Sequence, residues 1–359
     1  MNNNYLIEEN IAKANTLTSD FYTNNEYFET SKESIFINSW QLITNKKLLR
    51  NVVQYPFLFL SDFIDEPLVL INNNENIQCV SNVCTHRAHL VCLKNNDKLV
   101  FKCRYHGRSF YLNGKVKNAP GFDGVENFPT SNDDLAKIPT FVWRDFIFVS
   151  LNPVNDNLRI FDDIEKRLQG YNFDKLMLDE NQSKSYIINS HWAIYCENYL
   201  EDFHIPFVHK GLTKDINLNE YKTILLENAV LQIATSSKGR DIIKLNKNSI
   251  DYGKNIYAYY YWIFPNLMLN FYNWGLSINI VKPIKKNKTL IKYLVFKFPN
   301  NNLNQDSDAD VETIEFEDQK VVESVNIGIN SRLYKSGRYS MKHETGVHHF
   351  HKMIAEYLK

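Results

Sequence analysis

Two Cys–His pairs stand out first. "CTH" supplies Cys84 and His86, "CRYH" supplies Cys103 and His106, and sixteen residues separate the pairs. Two thiolates and two imidazoles suit a tetrahedral zinc. They also suit a [2Fe–2S] centre with two cysteines on one iron and two histidines on the other. Two features favour the cluster: each loop offers one ligand of each kind, and the surroundings are short β-rich runs rather than a ββα finger. Cys79 and Cys92 match neither loop and read as small core residues. His89 reads as a surface or supporting residue.

A second candidate lies in "ENYLEDFHIPFVH", where His204 and His209 follow two adjacent acids, Glu201 and Asp202. Two histidines and a carboxylate with open positions make the site for non-haem Fe(II) that activates O2. On an ideal helix, five residues turn about 500°, leaving the two imidazoles about 140° apart. A helix kinked at Pro206 is the expected way of bringing them together. The best source of a third ligand is "EFEDQKVVESVNIGI", with Glu315, Glu317 and Asp318 at a helix start, where acids also suit the helix dipole. Glu201 precedes His204 by three, which makes them neighbours on a helical face; Asp202 points elsewhere. His343, His348, His349 and His351 form a histidine-rich tract that could bind metal, but packing of a closing helix is the expected role. His191 is expected at a strand end, with a structural role.

The elements around these residues change character along the chain. Residues 1–36 carry loose helical spacing. From about 40 to 150, short runs such as "PLVLI", "KLVFKC" and "FVWRDFIFVSL" alternate with turn signals, the texture of an all-β domain. "NPVNDN" reads as a linker and "RIFDDIEKRLQGY" as a helix. Strands are expected around 184–193, 222–235 and 257–298, a loop at 299–310, and helices over 311–331 and 343–358, giving an α+β second half.

Bulk properties narrow the class. Lys+Arg and Asp+Glu are both 41, so nothing suggests a nucleic-acid footprint or a polybasic membrane patch. The aromatic-rich stretch "YAYYYWIFPNLMLNFYNW" is broken by Pro265 and three asparagines and reads as two strands, not a membrane span. "MNNNYLIEEN" lacks the features of a secretory signal, and five thinly spread cysteines do not make a disulfide scaffold. A cytoplasmic protein is expected.

"CTHRAHL" and "CRYHGRSFYLNGKV" resemble the Rieske iron–sulfur motif. Nearly the whole chain is similar to the α subunit of Rieske non-haem iron aromatic-ring-hydroxylating oxygenases, including their choline- and carnitine-monooxygenase-like branch. The likeness takes in "YFETSKESIFINSWQ" and the closing "GVHHFHKMIAEYL". It departs at one place. Many relatives carry Gly-Trp after the last cluster histidine, where this chain has Gly107-Arg108; the change is expected to alter packing or potential, not ligation.

The resemblance implies an α+β chain. Residues 1–36 would be a helical segment packing on the catalytic domain, 37–155 an all-β Rieske [2Fe–2S] domain, and 156–359 a helix-grip catalytic domain, an antiparallel sheet plus helices, holding mononuclear Fe(II). The family pattern points to Asp318 as the third iron ligand, with Glu317 the runner-up. It also places an acid three residues before the first histidine, which makes Glu201 the bridge that carries electrons to the iron. It implies an NAD(P)H-dependent reductase, with or without a ferredoxin, as electron source; NAD(P)H would act only through that partner. It further implies a homotrimer in which each cluster serves a neighbour's iron.

Two substrate classes remain open: a quaternary or methylated amine, and an aromatic ring that would be dioxygenated. The Glu-x-x-His spacing and "FEDQKVVESV" look closest to the amine-oxidising branch, and the aromatic run could furnish a cage for an ammonium group. A rival of another class is a Rieske electron carrier without oxygenase activity, against which the His204–His209 pair argues.

Overall fold

The computed structural model describes residues 6–73, 76–154, 159–299 and 311–359. The chain divides into two compact units, Ile37–Val154 and the residues that flank it on both sides.

Unit Ile37–Val154 is built from three small antiparallel sheets. The first pairs β1 (Gln41–Asn45), β10 (Phe146–Val149) and β9 (Thr140–Trp143). The second runs β2 (Gln54–Phe59), β3 (Glu66–Asn73), β4 (Asn76–Ser81) and β8 (Lys137–Ile138). The third joins β5 (Val100–Lys102), β6 (Ser109–Tyr111) and β7 (Val116–Asn118). Alternating apolar residues turn inward, so Val69, Ile71, Val80, Phe101 and Phe110 share one core with Cys84, Cys92 and Cys103. Cys92 is therefore a packing residue, and Cys79 is equally buried on β4.

The flanking residues form the second unit. An eight-stranded antiparallel sheet carries, in order, β11 (Met177–Leu178), β18 (Lys288–Lys297), β17 (Gly275–Lys285), β16 (Leu267–Tyr272), β15 (Ile256–Ile263), β14 (Ala229–Thr235) and β13 (Lys222–Leu226); β12 (Lys184–Ile188) also pairs with β18. Its helices are the short α1 (Ser19–Thr23) and α2 (Asn25–Ser31), then α3 (Arg159–Arg167), α4 (Trp192–Tyr199), the single turn α5 (Ile205–Val208), α6 (Val311–Ile329) and α7 (Thr345–Tyr357). Sheet and helices give the α+β, helix-grip fold. Among the described residues, no helix is long and apolar enough to cross a membrane.

Cross-strand register explains what the sheet presents. Gln232, Tyr260, Asn270 and Ser277 pair directly across four strands and share one face. The next row, Leu231, Tyr261, Leu269 and Ile278, turns to the other face and is wholly buried. A bulge opposite the Ala234–Thr235 step leaves Tyr257 out of the pairing, and strict alternation is lost there.

Three expectations need correcting. The strand that begins at Lys184 stops at Ile188, not 193. The Asn189 N–H donates to Glu323 at 2.8 Å and the His191 N–H to Asn326 at 3.1 Å, so the backbone leaves the sheet for α6. His191 is thus not at a strand end. It is the N-cap of α4, its Nδ1 accepting from the Ala193 N–H at 3.3 Å. Nor is residues 197–209 one kinked helix: α4 ends at Tyr199, and a bend precedes α5. Gly346 allows this bend to be covered. A Cβ there would sit 2.4 Å from the Leu200 carbonyl, so only glycine lets α7 start so close.

Candidate metal centres

The two Cys–His loops of unit Ile37–Val154 have the same backbone. The Cys84 N–H donates to the His89 carbonyl at 2.9 Å, and the Ala88 N–H to the Cys84 carbonyl at 2.9 Å. The Cys103 N–H donates to the Arg108 carbonyl at 2.8 Å, and the Gly107 N–H to the Cys103 carbonyl at 3.1 Å. Four residues after each cysteine the chain turns left-handed, at Ala88 (φ 56°) and at Gly107 (φ 78°). Repeating one tight turn twice presents the same pair of ligand types twice. Both cysteines are 2 % exposed, whereas His86 is half-buried and His106 exposed, their rings 4.7 Å apart. Sulfurs face the core and imidazoles the surface. Burial, and also the neighbouring Cys103 sulfur, hold the Cys84 thiol above its ordinary range. Two thiolates here need a cation between them, and the donor set fits a [2Fe–2S] cluster.

Arg108 takes up an unusual position beside these loops. It is 3 % exposed, its guanidinium 4.4 Å from the centre of the Phe122 ring and 4.9 Å from that of Phe128. One nitrogen donates to the Thr85 hydroxyl at 3.1 Å, between two candidate ligands, while Asp133 stands off at 3.9 Å. The site has thus admitted a buried cation with only a distant counter-charge. A fixed positive charge favours the more negative, reduced form of a nearby centre. Arg108→Gln is therefore expected to lower the midpoint potential of the reconstituted cluster by on the order of tens of millivolts. The EPR g-values should stay as they are. An unchanged potential in a redox titration would contradict this.

The second centre is assembled in the flanking unit. His204 precedes α5 and His209 follows it, with the Val208 N–H on the His204 carbonyl and the His209 N–H on that of Ile205, both at 2.9 Å. Pro206 lies in the first turn, where no N–H is needed, and kinks nothing. What brings His209 round is the end of the helix: its backbone leaves helical geometry at φ −104°, ψ 71°. The two Nε2 atoms come within 3.2 Å. Asp318 Oδ1 lies 3.0 Å from His209 Nε2 and 3.6 Å from His204 Nε2. On α6, Ile314, Glu315, Asp318 and Val322 share a face, which delivers Asp318 inward. His204, His209 and Asp318 alone among the described residues group their donor atoms closely enough for one metal ion.

The other ring nitrogens are already engaged. His204 Nδ1 is 2.6 Å from Glu201, and His209 Nδ1 is 2.7 Å from Glu317. Carboxylates on both Nδ1 atoms fix the tautomers that leave Nε2 free for a metal. Desolvation opposes charge on His209, but the Asp318 and Glu317 carboxylates outweigh it and raise its pKa. The donor set, two imidazoles and one carboxylate, fits a mononuclear non-haem iron. Glu317 orients a histidine here and does not join the triad of donor atoms. The spacing gave no signal of that role.

Glu201 does lie against His204, though across a bend and not along a helix. Its carboxylate also accepts from the backbone N–H groups of Phe203 and, at 3.0 Å, His204. Asp202 turns away to His343 Nδ1 at 2.9 Å. The remaining histidines of the closing tract have protein partners. His348 meets the Glu8 carbonyl, His349 the Leu226 carbonyl, and His351 both Tyr339 and Glu197. His89 Nδ1 is 2.6 Å from the Leu90 carbonyl.

A cavity of about 330 Å3 opens onto His204, His209 and Asp318. Of the aromatic run, Tyr257, Tyr260, Tyr272 and Trp274 line it; Tyr259, Tyr261, Trp262, Phe264 and Phe271 are buried elsewhere. Tyr272 stacks on Trp274 at 4.9 Å and meets the Tyr260 ring edge-on at 5.9 Å. The bulge is what brings Tyr257 to the same cavity as Tyr260. Below the rings runs a polar network missed in the sequence. Tyr199 donates to Asn270 at 2.5 Å, Asn270 to Asn279 at 3.2 Å, and Asn279 to Glu315 at 2.8 Å. Burial pushes the Glu315 carboxyl up to about 7, against hydrogen bonds from Tyr195 and Asn279 that lower it. Asparagine and serine at inward positions of "LNFYNWGLSINI" were the available signal.

Two protein-family models match the chain. Residues 177–359 match the ring hydroxylating alpha subunit (catalytic domain) family, and residues 40–129 the Rieske [2Fe-2S] domain. The chloroplastic choline monooxygenase of Arabidopsis thaliana is 26% identical over 97% of this chain and 84% of its own length. The carnitine monooxygenase oxygenase subunit of Escherichia coli K12 is 26% identical over 98% of this chain and 96% of its own. Among solved structures, a quaternary ammonium Rieske monooxygenase superposes with a TM-score of 0.76 at 24% identity, covering 99% of this chain and 100% of that one. Naphthalene 1,2-dioxygenase with indole bound superposes at 0.70 and 14% identity, covering 100% and 95%.

Proposed function

Because the chain belongs to the family of ring-hydroxylating oxygenase alpha subunits and carries a Rieske domain, we propose that it hydroxylates a small quaternary or methylated amine. It is a Rieske-type oxygenase component whose cofactors are a [2Fe–2S] cluster and a mononuclear iron. In this reading Cys84, His86, Cys103 and His106 hold the cluster, and His204, His209 and Asp318 hold the iron. When bound, the cluster supplies single electrons and the iron supplies O2 activation. Electrons come from NAD(P)H through a separate reductase, the source this family uses.

The chain's own part is holding and orienting. Glu201 and Glu317 lock the two imidazoles. The Tyr257, Tyr260, Tyr272 and Trp274 rings line the cavity beside the triad. That aromatic-walled cavity beside the triad is the observation that carries the amine reading, since an alkylated ammonium is attracted to ring faces without needing a counter-ion. Hydroxylation at an N–CH3 or adjacent carbon gives a product that collapses to aldehyde and amine. Ring dioxygenation is the second reading; likeness to naphthalene dioxygenase at 14% identity supports the fold and no more.

A homotrimer in a cytoplasmic setting completes the reading. Glu201, against His204 Nδ1 at 2.6 Å, is then the proposed route for an electron from the cluster of an adjacent subunit.

Reconstituted holoenzyme, a reductase, NAD(P)H and O2 are expected to give formaldehyde or another aldehyde from methylated amines. A cis-diol from an aromatic substrate, with no aldehyde from any amine, would overturn the amine reading. Iron content separates the electron-carrier alternative: three irons per chain are expected of an oxygenase and two of a carrier.

A further inference from the structure

We propose that the outer face of the β5–β6–β7 sheet, with the Cys103–Arg108 loop at its end, is where the protein's electron donor docks, and that this donor presents an acidic surface. The proposal rests on the oxygenase reading above, in which a separate partner reduces the cluster, and adds where and by what chemistry that partner binds.

The chain's charges balance overall but not locally. Residues 84–117 hold eight lysines and arginines against one acid, Asp97, whereas the rest of unit Ile37–Val154 holds five against nine. Arg108 is buried; the other seven cations are exposed, and among the described residues none of them is in an ion pair. The acids that reach this stretch from outside it are already engaged. Asp134 accepts from the Val116 N–H at 2.7 Å, and Asp133 accepts from the Thr130 N–H at 2.8 Å and stands 3.9 Å from Arg108. Exposed like charges repel one another, and an acidic surface brought against them relieves that repulsion and steers the encounter.

Strand register places the charges. Phe101 and Phe110 pair and are wholly buried, so Lys102, opposite Ser109, and Tyr111, opposite Val100, turn outward. The Lys117 ammonium lies 5.5 Å from the centre of the exposed Tyr111 ring. At the end of the sheet the Arg87 guanidinium lies 5.9 Å from the exposed Tyr105 ring, and Tyr105 packs on His106 at 3.7 Å. Tyrosine and arginine are enriched among the residues that anchor protein interfaces. Lys102 and Arg104 flank Cys103 in the chain, and His106 is exposed, so a partner seated on this face lies against a cluster loop. A one-electron carrier requires that position; a membrane or a nucleic acid does not. One electron leaves the reduced carrier and enters the oxidised cluster, with no bond broken and no proton moved.

The test compares wild-type holoenzyme with Lys102→Glu/Lys117→Glu and with Arg50→Glu/Lys137→Glu, which reverses two exposed cations of the same unit outside residues 84–117. The probe is an acidic plant-type [2Fe–2S] ferredoxin. Its oxidised form is titrated by calorimetry, and reduction of the cluster by its reduced form is followed by stopped flow. The Lys102→Glu/Lys117→Glu pair is expected to weaken binding and slow reduction by about tenfold or more at low salt, with the Arg50→Glu/Lys137→Glu pair close to wild type. Wild-type binding should itself weaken as salt rises. Photoreduced deazaflavin, a small neutral reductant, should reduce all three proteins alike, which shows that the cluster survives the substitutions. Equal ferredoxin binding by all three, equal loss in both variants, or no binding to wild type overturns the proposal. So does a changed oligomeric state of Lys102→Glu/Lys117→Glu by sedimentation, which would make the face a contact between copies of this chain. Pelleting of wild type with phosphatidylserine vesicles, without ferredoxin binding, would make it a membrane surface instead. If deazaflavin gives wild type no Rieske EPR signal, the oxygenase reading itself fails.

Discussion

Asp318→Ala is expected to remove the mononuclear iron and take oxygenation below detection, leaving the cluster's colour and EPR signal unchanged. The argument is local. Among the described residues, Asp318 Oδ1 is the one carboxylate oxygen placed against both Nε2 atoms, at 3.0 and 3.6 Å. Without it two imidazoles remain, too few to hold Fe(II) against water. The residues proposed to hold the cluster lie in the other unit. Glu317 supplies the control. It touches His209 Nδ1, on the far side of the ring from the metal position, so Glu317→Gln should weaken iron binding by about 10–100-fold without abolishing it. Iron analysis of the two variants, beside the cluster absorbance of each, decides the matter. Normal iron in Asp318→Ala with loss in Glu317→Ala would make Glu317 the ligand.

Glu201→Gln should keep both metals and lose most of its turnover, by about 10–100-fold or more. The Glu201 carboxylate accepts from His204 Nδ1 at 2.6 Å and from two backbone N–H groups, which sets the tautomer and angle of that ring. An amide keeps much of the shape but loses the charge, and it offers an N–H where the imidazole needs an acceptor. The sharper readout is a single-turnover experiment. A reduced cluster in Glu201→Gln should reoxidise slowly when substrate and O2 are supplied together, since the proposed route passes through the His204–Glu201 contact. Asp202→Asn is the comparison and should reoxidise at close to the normal rate, because Asp202 is committed to His343. Prompt reoxidation in Glu201→Gln with a block in Asp202→Asn would move the bridge to Asp202.

Local spacing made several parts of this protein legible from sequence. Cys84, His86, Cys103 and His106 can be picked out because each pair shares one tight turn, and a turn is encoded within half a dozen residues. The same holds for the Glu201–His204 contact, which survives although the expected helix is a bend, because three residues span about one turn either way. The β-rich texture of 40–150 and the two strands in 257–274 follow from period-two patterning, which needs no distant partner.

Other features were decided only by tertiary structure. Whether Asp318 or Glu317 faces the paired Nε2 atoms depends on the rotation of α6 against α5, more than a hundred residues away in the chain. Adjacent residues on a helix point about 100° apart, so that rotation sets Asp318 against the two Nε2 atoms and Glu317 against His209 Nδ1. The strand expected to reach residue 193 ends at 188 because Glu323 and Asn326 capture its backbone, and neither residue is near it in sequence. Tyr257 joins the cavity through a bulge whose position depends on pairing with Thr235 and Ala234. In each case the deciding contact joins segments far apart in the chain, and local propensity carries no information about which distant group will arrive.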